Sequence, residues 1–177
     1  MKGPLHLYVD GSCLGNQNVD HSTPAGWGLV VVEGDNGLGT GKGEIVFEDS
    51  GLVETDSGAE NYFGAEVGSN NTAELTAFIY ALRWVLIQSD DRPAVIRADS
   101  QYAGNIASSK WKAKKNKELA KYVQSLWNEV SSQKEISWNH VHAHRGHRWN
   151  ERADHLAARA TNGEKPLSLG FWKPGMR

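Results

Sequence analysis

Cysteine is nearly absent: Cys13 stands alone in 177 residues, which excludes an intramolecular disulfide and a cysteine zinc site. No apolar run approaches the roughly 20 residues that a membrane-spanning helix needs. The N-terminus lacks a signal-peptide core, since Leu5, Leu7 and Val9 already alternate with His6 and Tyr8. These absences lead us to expect a chain without membrane contact, working in a reducing cytosol or nucleus. No internal repeat is visible. There is also little excess of charge, with a formal net charge of −2.

That near-neutral sum hides an asymmetry. Residues 33–66 hold nine acidic side chains against Lys42 alone, a balance of −8, whereas residues 99–177 hold fourteen Lys/Arg against seven Asp/Glu, a balance of +7. The C-terminal half can therefore face phosphates while the acidic segment points elsewhere. The length suits one domain with a sizeable core.

Period-two alternation predicts a strand over residues 5–9, and apolar, β-branched composition a second over 26–32. A third is expected over 43–47. Residues 48–69 are rich in Gly, Ser, Asp, Glu and Asn, and read as an acidic insertion or long surface loop. Leu75, Phe78, Ile79, Leu82, Val85 and Leu86 then follow helical spacing. A strand over 94–98, a short helix over 100–108, a helix over 118–130, a strand over 136–141 and a helix over 150–160 complete the pattern. Right-handed crossovers place the fourth and fifth strands parallel to the first. The expected architecture is a five-stranded mixed α/β sheet with helices on both faces.

Four acidic residues sit where this chain passes between strand and helix: Asp10, Glu74, Asp99 and Asp154. Carboxylates that converge at the carboxyl ends of parallel strands suit hard cations such as Mg²⁺ or Mn²⁺. Each has a plainer explanation. Asp10-Gly11 is a common turn pair, Asn71 and Glu74 have capping-box spacing, and Asp99 or Ser100 can cap the short helix. His140, His142, His144 and His147 lack the partners of a zinc cluster. One of them on a mobile loop is better suited to proton transfer or product release. Lys110, Lys112, Lys114, Lys115, Lys117 and Lys121, interleaved with Trp111, face only Glu118. This suggests phosphate contact more than a solvated helix face.

Four phrases taken in order resemble type I ribonuclease H. They are Asp10-Gly11-Ser12-Cys13-Leu14-Gly15-Asn16, Asn70-Asn71-Thr72-Ala73-Glu74-Leu75, Asp99-Ser100-Gln101-Tyr102, and His144-Arg145-Gly146-His147 running on through Asn150-Glu151-Arg152-Ala153-Asp154. The resemblance implies a ribonuclease H-like fold over residues 1–162, with 163–177 as a tail. It also implies hydrolysis of the RNA strand of RNA·DNA hybrids with little sequence specificity. Two Mg²⁺ ions, with Mn²⁺ as an alternative, would act at the scissile phosphate and leave 5′-phosphate and 3′-hydroxyl ends. Asp10, Glu74, Asp99 and Asp154 would be the metal ligands. His144 would help proton movement or product release, with Glu151 an acidic neighbour. Asn16, Asn70, Asn71 and Gln101 would contact the hybrid in its minor groove, and Ser69 a phosphate. The lysines, with Trp111, would hold the backbone.

The long acidic stretch and the tail depart from the family pattern, and the basic segment is short. The tail aromatics Phe171 and Trp172 would either fold back on the domain or dock elsewhere. Other metal nucleases on a similar sheet lack the Asn70-Asn71 and Asp99-Ser100-Gln101-Tyr102 phrases. A non-catalytic binding module would be expected to have lost a carboxylate. Met1 directly before the first strand favours a free-standing enzyme over the nuclease portion of a reverse transcriptase, which stays open as the alternative, and a monomer is expected.

Overall fold

The computed structural model describes residues 3–15, 17–142 and 147–177. The N-terminal alternation becomes β1, Leu5–Cys13. Leu5, Leu7 and Val9 enter one hydrophobic cluster and Tyr8 another, so the strand is covered on both faces. In β2, Ala25–Glu33, Trp27, Leu29 and Val31 join the first cluster and Val30 and Val32 the second. β3 spans Glu44–Leu52, five residues beyond the expected end. Residues 48–52, read from composition as loop, pair with β2 as far as Gly26 opposite Leu52. As an edge strand, β3 can keep Glu48, Asp49 and Ser50 while its partner satisfies the backbone.

The remaining elements are α1 (Asn70–Ile87), β4 (Ala94–Ala98), α2 (Gln101–Ala107), α3 (Lys117–Gln133), β5 (Ile136–His140) and α4 (Arg148–Thr161). The sheet order is β3-β2-β1-β4-β5. β1, β2 and β3 are antiparallel neighbours, and β4 and β5 run parallel to β1. Leu75, Phe78 and Leu82 of α1, Ile106 of α2 and Leu119 and Val123 of α3 fill the larger core on one face. Ala153 and Leu156 of α4 cover Tyr8, Val30 and Val32 on the other. The expected mixed sheet with helices on both faces is therefore present.

Residues 53–68 pack over α1 and α3. Phe63 meets Tyr80 edge-on at 5.7 Å and Tyr122 at 4.9 Å, with the Arg83 guanidinium 5.6 Å above its ring. Ala65 is buried beside them. The tail returns along α4. Leu167 N–H donates to His155 Nε2 at 3.0 Å, and Arg152 Nη1 donates to the Leu167 carbonyl at 2.8 Å. Trp172 is only 2% exposed, facing the guanidinium groups of Arg148 and Arg152 at 5.7 and 5.3 Å, whereas Phe171 remains 80% exposed.

Candidate functional site

Two glycines set the approach of the helices that deliver carboxylates. Asp10 lies on β1 opposite Gly28 of β2, and Gly11 follows it. A Cβ on Gly11 would stand 2.6 Å from the Glu74 amide nitrogen, so its absence lets the first turns of α1 abut the strand. A Cβ on Gly28 would lie 2.4 Å from the Ala153 carbonyl, which brings α4, with Asp154, equally close. The result is an open cavity of about 350 Å³ whose lining includes Asp10, Asn70, Asn71, Glu74, Asp99 and Asp154.

The local chemistry decides two of the plainer explanations. Ser69, not Asn71, caps α1: its Oγ accepts from Thr72 N–H at 3.1 Å, and Thr72 Oγ1 accepts from Ser69 N–H at 2.9 Å. The box thus closes before Glu74, which does not serve as its acidic member. Ser100 caps α2 by accepting from Ala103 N–H at 3.0 Å, so Asp99 is not the cap either. His140 Nε2–H donates to the Asp99 carbonyl at 3.1 Å and ties the end of β5 to the end of β4.

One carboxylate oxygen from each of Asp10, Glu74 and Asp99 can be drawn into a set lying within 4.8 Å of one another. Asp10 is 4% exposed and Glu74 8%, and among the described residues Glu74 Oε2 is buried without a hydrogen-bond partner. Burial, followed by the charges of Glu74, Asp99 and Asp154, raises the Asp10 carboxyl well above the ordinary carboxyl range. Burial and then Asp99 do the same to Glu74. A buried acceptor without a donor, beside two more carboxylates, fits a divalent cation: oxygen donors are present and their repulsion calls for positive charge. Asp154 lines the same cavity outside this trio. It accepts from Arg177 Nη2 at 2.8 Å and from Arg177 Nε at 3.0 Å.

The raised carboxyls make a stability prediction for the metal-free chain. The folded state keeps these protons to a higher pH than the unfolded chain does. Their stabilising contribution is therefore complete below the ordinary carboxyl range and is lost as pH rises toward the folded-state values. In EDTA, wild type should melt increasingly below Glu74→Gln as pH goes from about 5 to about 8. Thermal denaturation of both chains checks this, and a gap that stays constant or narrows would contradict it.

A second hollow of about 690 Å³ adjoins the first through Asn71, which lines both. Lys110, Trp111, Lys112, Lys114 and Lys115 come together there, joined by Tyr102 and Ile106, which sequence reasoning did not select. Asn116, with φ 55°, turns the chain from this basic segment into α3. Gln101 is exposed on the first turn of α2. Ser69 spends its hydroxyl on the cap. Glu151 lies in the first turn of α4 with Oε2 buried and, among the described residues, unpartnered. Asn16 and His144 lie outside the described residues.

With this geometry in place, similarity to known proteins becomes specific. The family model described as RNase H matches residues 2–162, so the chain belongs to the ribonuclease H family, whose members are hydrolases. The ribonuclease H1 of the halophilic archaeon Halobacterium salinarum is 27% identical, covers 91% of this chain and 99% of its own, and superposes with a TM-score of 0.64. The N-terminal ribonuclease H domain of a Mycobacterium tuberculosis protein is 24% identical over 89% of this chain and 98% of its own, with a TM-score of 0.64. LC11-RNase H1, solved with an RNA/DNA hybrid, is 22% identical over 90% and 97%, with a TM-score of 0.62. Comparison with curated protein sequences gave no match. Among the described residues, no helix is long and apolar enough to cross a membrane.

Proposed function

We propose that this ribonuclease H cleaves the RNA strand of RNA·DNA hybrids at the Asp10, Glu74, Asp99 and Asp154 carboxylates with two divalent ions, leaving 5′-phosphate and 3′-hydroxyl ends. The supporting observation is the junction at Asn71, where an acidic cavity meets a basic, aromatic groove. Mg²⁺ or Mn²⁺ would supply Lewis-acid polarisation of the scissile phosphate and a water of lowered pKa. The four carboxylates would hold these ions, Asp10 from within β1 and Asp99 from just past the end of β4. Asn70 and Asn71, at the start of α1, would contact the minor groove, where 2′-hydroxyls distinguish RNA from DNA. The lysines from Lys110 to Lys115 would neutralise backbone phosphates, and Trp111, 49% exposed, offers an apolar face to the nucleic acid. LC11-RNase H1, which shares the fold, was solved in complex with an RNA/DNA hybrid, which supports this class of substrate. Residues 1–162 would form the catalytic unit and 163–177 an appended tail.

Matched RNA·DNA, RNA·RNA and DNA·DNA duplexes, incubated with Mg²⁺, Mn²⁺ or EDTA, test the reading. RNA cut only in the hybrid, and only with a divalent ion, is the expected result; cleavage of duplex DNA with intact hybrid would overturn it. A second prediction concerns affinity. Replacing Lys110, Lys112, Lys114 and Lys115 together with Ala should make the slope of log K against log salt shallower by about 2–3, as counterion release falls with each lost phosphate contact. Fluorescence anisotropy across a salt series in EDTA measures this, and an unchanged slope would remove the patch from the interface.

A further inference from the structure

Asp154, a proposed cation ligand, already carries a cation from its own chain. The Arg177 guanidinium engages both carboxylate oxygens, at 2.8 and 3.0 Å, and lines the cavity that holds Asp10, Glu74 and Asp99. The contact comes from an anchored segment. Trp172 is buried against α4, its backbone N–H donates to the Ser168 carbonyl at 2.9 Å, and its indole N–H donates to the Met176 carbonyl at 3.2 Å. Met176 N–H in turn donates to the Lys173 carbonyl at 3.1 Å. These bonds form a compact turn that presents Arg177 to Asp154 at high local concentration.

We propose that Arg177 is an intramolecular latch on the metal site, holding Asp154 in the metal-free chain and giving way when a divalent ion takes that carboxylate. This rests on the nuclease reading. The planar guanidinium occupies both oxygens in a bidentate fork, whereas a hard divalent ion needs at least one of them at roughly 2.0–2.5 Å. Two cations at one carboxylate also repel. The tail and the ion therefore compete, and the tail sets the ion concentration at which the Asp154 side fills. Arg177 has a side chain 60% exposed and Asp154 one of 15%, so water screens the pair and the latch yields readily.

Isothermal titration of Mn²⁺ into the full chain in the absence of substrate tests this with wild type, Arg177→Ala and Arg177→Lys. If the latch holds Asp154 in most molecules, Arg177→Ala should bind Mn²⁺ about three- to tenfold more tightly. Arg177→Lys should fall between, because an ammonium keeps the charge without the fork. Unchanged or weaker Mn²⁺ affinity in Arg177→Ala overturns the latch, as does an absence of Mn²⁺ binding in all three chains. Weaker hybrid binding with unchanged Mn²⁺ affinity would also overturn it, assigning Arg177 to a substrate phosphate instead. Failure of the nuclease reading is scored separately, as hybrid left uncut by wild type at every Mn²⁺ concentration, and leaves the comparison of affinities intact.

Discussion

Asp10→Asn is expected to reduce hybrid cleavage by on the order of 10³-fold or more while raising the melting temperature of the metal-free chain. Both effects come from one feature. Asp10 is almost fully buried, and the negative charges of Glu74, Asp99 and Asp154 act on it. That repulsion attracts a cation and opposes folding when no cation is present. Asparagine is nearly isosteric and keeps an oxygen to accept the Gly11 N–H, which Asp10 Oδ1 accepts at 2.8 Å, so β1 should survive around it. What disappears is one charged carboxylate of the cluster. Initial rates on a labelled hybrid, paired with melting curves in EDTA near pH 8, measure the two halves. Activity within tenfold of wild type would remove Asp10 from the reaction. A lower melting temperature would mean that its charge stabilises the fold.

The four carboxylates were legible because each sits in a short phrase whose residues are contiguous. Strand order, which periodicity and crossover handedness supply, accounted for Asp10 and Asp99 alone, whereas Glu74 and Asp154, on α1 and α4, were drawn in by the resemblance of their phrases. Glu74 illustrates the limit of spacing: Asn71 and Glu74 stand three apart as in a capping box, but so do Ser69 and Thr72, and only the structure decides which pair closes. Edge strand β3 was shortened because its outward residues are polar and composition does not report a backbone ladder. Gly11 and Gly28 were not singled out, since their importance lies in helix backbones that approach from distant sequence. The same holds for residues 53–68 and the tail. Phe63 and Trp172 are ordinary aromatics until Tyr80, Tyr122, Arg148 and Arg152 come to meet them. Arg177 was invisible as a site residue for the same reason, because nothing local ties it to Asp154.

Arg152→Ala is the substitution expected to cost most in stability, about 2–4 kcal/mol. Arg152 is 1% exposed, deep for a guanidinium, and every side of it is engaged. Nε and Nη2 donate to Glu48 of β3 at 3.0 and 2.6 Å, and Nη1 donates to the Leu167 carbonyl of the tail. Its carbon centre lies 5.3 Å from the Trp172 ring. One side chain thus joins the edge strand, α4 and the tail. Removing it leaves Glu48 and Leu167 without their partner, along with a void of side-chain size. Glu48 has a side chain 28% exposed, so water can take over part of the lost interaction, which places the cost below that of a wholly buried pair. For a chain of this length the loss corresponds to a melting point lower by about 5–15 °C. Urea unfolding gives the free energy directly, and a midpoint shift with unchanged slope would assign it to the folded state. Replacing both partners, Arg152→Met with Glu48→Met, separates charge from packing: it should recover part of the loss, because no charge is left unpaired and apolar volume fills the space. If the double variant is no more stable than Arg152→Ala, the contacts to Leu167 and Trp172, rather than the ion pair, hold the tail on α4. Loosening that attachment would also carry Arg177 away from Asp154, so Arg152→Ala should bind Mn²⁺ more tightly than wild type wherever it remains folded.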